Sequence, residues 1–296
     1  MGARVARERR SEPKGLPTPF RIGVRPLGDA PWLCVDGALG ERLDEKERLL
    51  AARPDIVHGA LESGEAGSRE ALERIGAWLL ANAADTHEAD GSGGVRVRGR
   101  PSAGGGSRER LEPPESAPPL VRAARLVAED LALLRRDRTG WRLVAGCIAF
   151  PSHWSLAEKL GRPLAEVHAP VPGYAAGSRN ARTLDRMFDA LRPDAPVLRG
   201  NWALHADPTL HRPAAAADAG ADHPQDARPH VGRSLESLWL RHERQTLSKL
   251  PRSGDVLFTT HTTHERVAAL DAARRARLHR QLAALDDAQR RYRTPR

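Results

Sequence analysis

"SLWLRHERQTLSKLP" (237–251), the turn "RSG" (252–254) and "DVLFTTHT" (255–262) form the stretch on which the fold turns. Val256 and Phe258 alternate with other residues, which predicts a strand over 255–262. Upstream, "RHERQTLSKLPRSG" reads as a basic helix-to-turn segment. Its Arg241, Arg244 and Arg252 suit either a solvated face or a dianionic cofactor, because guanidinium groups pair bidentately with carboxylates. In "THTTH", His261 and His264 lie three residues apart, a spacing that aligns two imidazoles on a helical turn. Without carboxylate or cysteine companions the pair favours a surface or core role over a metal site.

Outward from this stretch, strands and helices alternate without regular βαβ units, so the expected fold class is α+β. Strands are expected at 20–27, 95–98, 140–151 and 197–204. Helices are expected at 40–54, ending at Pro54, and at 67–84, capped by Ser68. Leu120, Ala124, Val127, Leu131 and Leu134 form one stripe and predict a single amphipathic helix over 118–137. Shorter helices are expected at 155–161 and 184–192. The reading divides the chain into a disordered arm at 1–19, one domain at 20–264 and an Arg-rich C-terminal helix at 265–296. Gly, Ser, Ala and Pro make 89–118 and 213–232 flexible loops.

Composition narrows the function classes. The 296 residues carry a net charge of +9, but arginine supplies nearly all the positive charge and aromatics are only 4%, so base stacking has little to work with and nucleic acid is disfavoured. No uninterrupted apolar run of about eighteen residues is present, which argues against a membrane span. "MGARVARERR" lacks the apolar segment of a secretory signal, and a cytoplasmic location is expected. Two separated cysteines, Cys34 and Cys147, make no thiolate cluster for zinc or iron–sulfur. Walker A, H-E-x-x-H, G-x-S-x-G and strand-borne G-x-G-x-x-G patterns are missing.

The richest chemical candidate is "CIAFPSHWSLAEKLGRPLAEVHAPVPGY" (147–174). A strand leads through a Pro-bounded helical segment to His168, and Pro170 and Pro172 restrict the backbone that follows. A histidine so framed can ligate a metal, act as a base or hydrogen-bond in a core. "NWALHADPTLHRP" adds Asn201, Trp202, His205 and His211 as a strand and loop with the same alternatives.

"EDLALLRR" (129–136), "FPSHWSLAEKLGRPLAEVHAPVPGY" (150–174), "VLRGNWAL" (197–204) and "RHERQTLSKLPRSGDVLFTTHT" (241–262), in this order, closely resemble the haem-dependent oxidative N-demethylase alpha-subunit family. "FRIGVRPLGDAPWL" and "KERLLAARPDIV" resemble its amino-terminal region, so the likeness covers about residues 18–264. It implies a PAS-like antiparallel sheet with flanking helices and added elements. It also implies haem b as cofactor, with no flavin, NAD or iron–sulfur cluster in this chain. The implied reaction removes a methyl group from a small secondary amine with O2, giving a primary amine and formaldehyde. Electrons then come from flavin and iron–sulfur reductase subunits. Under the resemblance His168 is the expected axial iron ligand, with His205 and then His261 as alternatives. Tyr174 is expected beside bound oxygen or substrate, Arg199, Arg244 and Arg252 at the haem propionates, and Trp154 and Trp202 along the ring. After Tyr174 the chain reads "AAGSRN", where an acid able to meet an amine is expected. A non-catalytic PAS-like haem sensor and an Arg-rich binding protein are the competing readings.

Overall fold

The computed structural model describes residues 16–91, 94–98, 117–214 and 234–294. Seven strands form one antiparallel sheet in the order β1 (Arg25–Pro26), β7 (Val197–His205), β8 (Trp239–Lys249), β9 (Val256–Arg266), β5 (Asp130–Asp137), β6 (Gly140–Cys147) and β2 (His58–Ala60). β3 (His87–Ala89) and β4 (Val95–Val97) make a separate two-stranded pair. The architecture is α+β.

The β8–β9 hairpin is its spine. Each strand has 11 residues, and they pair without a register break from Trp239↔Arg266 to Lys249↔Val256. Gly254, at φ +74, donates its N–H to Leu250 and closes the turn, a backbone region that disfavours a Cβ. Arg135 of β5 then grips Asp255 through two hydrogen bonds of 2.7 and 2.9 Å.

Because side chains alternate along a strand, the sheet has two distinct faces. On the first, Leu131, Leu133, Leu198 and Leu257 pack beneath α1 (Leu39–Ala52), α3 (Glu65–Asn82) and α4 (Pro119–Ala124). Arg53 ends α1, and Pro54 opens the single turn α2 (Pro54–Val57). Farther along this face, Trp202, Leu204 and Leu240 meet Leu278 of α8 (Ala272–Ala283). The second face carries Val197, Leu247, Phe258 and Leu134 under α7 (Arg179–Asp189) and the short turns α5 (Leu156–Lys159) and α6 (Leu164–Val167). Gly146 makes this approach close: a Cβ there would lie 2.7 Å from Leu156 Cδ1.

Two expectations fail for one reason. The helix foreseen over 118–137 stops at Ala124, and its second half is strand β5; the basic stretch 241–249 is strand β8, not a helix. Both strands are buried on both faces, Leu131 and Leu133 on one side and Ala132 and Leu134 on the other. Such strands lose their two-residue alternation and imitate other periods.

Smaller differences concern element ends. Only Arg25 and Pro26 of the 20–27 stretch pair with a neighbour. Ser68 lies inside α3, where its hydroxyl donates to Gly64 O at 2.8 Å, because the helix already begins at Glu65. The C-terminal region forms two helices, α8 and α9 (Asp287–Arg293), separated by residues 284–286, of which Asp286 caps the second. Leu16 is buried and Pro17 O accepts from Trp202 Nε1 at 3.0 Å, so the end of the expected arm packs on the sheet. Residues 1–15, 99–116 and 215–233, which hold most of the expected arm and loops, lie outside the described residues. Among the described residues no helix is long and apolar enough to cross a membrane.

Candidate functional site

The stretch from β6 to Tyr174 is built from short closed turns. Leu160 N–H returns to Leu156 O at 2.8 Å, Gly161 N–H reaches Leu143 O at 2.7 Å, and Pro163 opens α6. His168 sits at the C-terminal end of α6. Its Nδ1 lies 3.0 Å from Leu164 O, and since a carbonyl only accepts, Nδ1 is the donor. The neutral tautomer therefore carries its lone pair on Nε2, the arrangement by which an outer carbonyl orients a metal-binding imidazole. Burial pushes this imidazole down to about 4, against the Leu164 hydrogen bond, and the charges of Lys159 and Arg199 lower it further.

After His168, Val171 N–H bonds His168 O at 2.8 Å and Tyr174 N–H bonds Val171 O at 3.0 Å. Pro172 and Gly173, the latter at φ +84, occupy the two inner positions of the second turn, as a type II turn requires. The two turns bring the Tyr174 ring to 6.0 Å from the His168 ring. Burial raises the Tyr174 pKa, so its hydroxyl keeps its proton at neutral pH.

Arg199 on β7 joins this pair, since its charge bears on both His168 and Tyr174. Among the described residues it has no hydrogen bond or ion pair, and its Nε is buried without an acceptor. Burial lowers its pKa, with Tyr174 and Glu243 opposing. Trp154 packs on the same face against the cluster containing Leu156 and Phe258, and Lys159 Nζ stands 4.6 Å above its ring.

Other expected site residues lie elsewhere. Trp202 faces the opposite side of the sheet, in the core under α8. Arg244 faces that side too and donates to Trp32 O at 3.0 Å and to Pro31 O. Arg252, in the β8–β9 turn, bonds the α3 carboxylate of Glu73 and donates its backbone N–H to Glu70 at 2.9 Å. His261 and His264 stand on one strand three residues apart and so point to opposite faces, a consequence of strand rather than helical geometry. His261 lies 3.6 Å from Asp36 across the sheet from His168. His205 shares the Arg199 face but sits at its far end, with His153 and His264 at ring distances of 5.5 and 5.8 Å. Among the described residues no three His, Cys, Asp or Glu side chains converge as a metal site.

β8 contributes what the sequence reading missed. Its residues Glu243 and Gln245 face the Arg199 side, since Asn201↔Glu243 and Arg199↔Gln245 are cross-strand partners. Reading 241–249 as a helix hid this alternation.

A lone imidazole with a free Nε2, an unpaired guanidinium and an indole on one sheet face suit a flat, anionic cofactor better than a bare ion. Residues 23–295 match the model of a known family described as haem-dependent oxidative N-demethylase, alpha subunit-like. The chain belongs to this family. As a member of the haem-dependent oxidative N-demethylase alpha subunit-like family, it is assigned at that level to haem-dependent oxidoreductases, and the family description implies a partner subunit. No curated protein matches the chain.

Proposed function

We propose that this protein is a haem-dependent monooxygenase that demethylates a small secondary amine, using O2 and electrons from flavin and iron–sulfur reductase subunits. The reading takes haem b as cofactor, a PAS-like sheet as its support and residues 20–264 as the haem-binding unit. The observation that carries it is the commitment of His168 Nδ1 to Leu164 O, which leaves Nε2 as the free ligating atom beside the unpaired Arg199.

In this reading His168 Nε2 would ligate the iron, Arg199 would pair with a carboxylate of the haem, and Trp154 would offer an aromatic surface to it. Haem, when bound, supplies the oxygen and electron chemistry that the side chains lack. Tyr174 holds a proton on its hydroxyl and presents it as a hydrogen-bond donor near His168. The aliphatic and aromatic side chains of Leu134, Leu164, Phe188 and Leu247 exclude water from that side of the sheet. Arg244, Arg252, Trp202 and His261 take structural roles instead, as their partners in the fold require.

An absorption spectrum of the chain expressed with haem precursor tests the reading. A Soret band is expected, shifted or weakened in His168→Ala, together with formaldehyde release from dimethylamine when a donor reductase is supplied. Absence of the band sinks the proposal. A band without formaldehyde would favour the non-catalytic haem sensor.

A further inference from the structure

We propose that Glu243 and Gln245 on β8 form an acceptor pair that recognises an alkylammonium by its N–H groups, favouring a secondary amine over a quaternary one. The inference rests on the demethylase reading for why an amine comes to this face, and on side-chain chemistry for how it is held.

Glu243 is nearly enclosed. Asn201 Nδ2 and Gln245 Nε2 both donate to its Oε2 at 2.9 Å, and Arg241 Nε donates to Oε1 at 2.9 Å. Burial alone would raise its pKa, but the Arg241 charge and the Asn201 and Arg241 hydrogen bonds outweigh it, so the group is held below the usual carboxylate range and stays ionised. A carboxylate offers about four acceptor sites. Three are taken, and the one that remains is on Oε1.

Gln245 supplies the second acceptor. Because ionised Glu243 only accepts, the Gln245 amide must turn its NH2 toward it, which settles the orientation of the amide and aims Oε1 away. That Oε1 is buried and has no donor. A buried acceptor left unpaired is costly, and a ligand N–H would relieve it. Arg241 offsets the Glu243 charge, so discrimination falls on hydrogen-bond count more than on net charge.

The pair belongs to the site already described. Gln245 is the cross-strand partner of Arg199, whose charged form is favoured by both Tyr174 and Glu243. The face of Arg199 thus gains an acid from a strand far along the chain, although "AAGSRN" after Tyr174 provides none.

Calorimetric titration of the full-length chain with dimethylammonium, trimethylammonium and tetramethylammonium chlorides, with the Soret region recorded on the same samples, decides the matter. Affinity is expected to fall about tenfold for each N–H removed. Gln245→Met should flatten the series while the Soret band and far-UV circular dichroism stay as in the parent. Glu243→Gln should weaken dimethylammonium binding further; Gln245→Met carries the test if leaving Arg241 without its carboxylate unfolds that variant. Equal affinities across the series, no binding of any of the three ions, or an unchanged ranking in Gln245→Met overturns the inference. A ranked series without a Soret band would leave this pair standing and remove the haem reading, whereas a Soret band with a flat series would do the reverse.

Discussion

Arg244, which is buried, and Arg199, which is half-buried, stand on adjacent strands of one sheet in opposite circumstances. Arg244 faces the helices α1, α3 and α4 and spends its donors on Trp32 O and Pro31 O, tying the loop after β1 to the sheet. Arg199 faces His168 and Tyr174 and has no such partner. A guanidinium that stitches backbone is part of the fold, whereas one held without a partner keeps its hydrogen-bonding capacity for something else. The two faces differ in the same way. The first is apolar core tied to a loop by the terminal nitrogens of Arg244, although its Nε and Trp32 Nε1 stay without partners. The second brings together Arg199, which makes no hydrogen bond at all among the described residues, with Glu243 and Gln245, whose Oε1 has no donor.

The largest expected effect comes from the core of the first face. Leu131 is fully buried near the start of β5, and Leu131→Ala should cost about 2–5 kcal/mol in urea denaturation while leaving any Soret maximum of the folded fraction in place. A shift of that maximum would mean that the two faces are not separable.

Next is Arg244→Met, which strands the Pro31 and Trp32 carbonyls. It should lower stability by about 1–3 kcal/mol, read from the same transition. An unaffected transition would show that the loop does not need this tie.

Acid titration probes both faces at once. Burial pushes His242, on the first face, down to about 4, and His264, on the second, down to about 3. Their folded-state pKa values lie below the unfolded value near 6.5, so the unfolded chain binds more protons. Stability is complete above pH 6.5 and should fall as pH drops below it, by up to about 1.4 kcal/mol per pH unit for each imidazole. His242→Gln should reduce this slope, and a slope unchanged in that variant would show that His242 titrates normally.

The smallest stability effect is expected for Arg199→Met, within about 0.5 kcal/mol of the parent because no partner is lost. Its effect should appear instead as faster haem loss to a scavenger protein. A large destabilisation with haem retention unchanged would make Arg199 a structural residue like Arg244 and erase the contrast.

Much of the second face was legible because its signals are local. Gly173, Pro172 and Pro163 announce the turns that hold His168 and Tyr174, and a turn depends on the φ preferences of its own residues. β5 and β8 were illegible for the opposite reason. A strand covered on both sides takes its identity from neighbours outside its own segment, β7 for β8 and β9 for β5, and Leu120, Val127, Leu131 and Leu134 fit a helical stripe as well as a buried strand. Reading β8 as a helix also concealed Glu243 and Gln245, since residues two apart share a face only on a strand.

By itself, then, the sequence determined the mixed α+β class, the framed histidine at 168 and, through ordered motifs, the family to which the chain belongs. Backbone preferences and short spacings carry that information within each segment. Only the tertiary structure decided which arginine has a partner, which histidine of "THTTH" faces which side, and that an acid from β8 shares the sheet face of Arg199. Those facts depend on strand pairing, and pairing is set by the burial of both sheet faces at once.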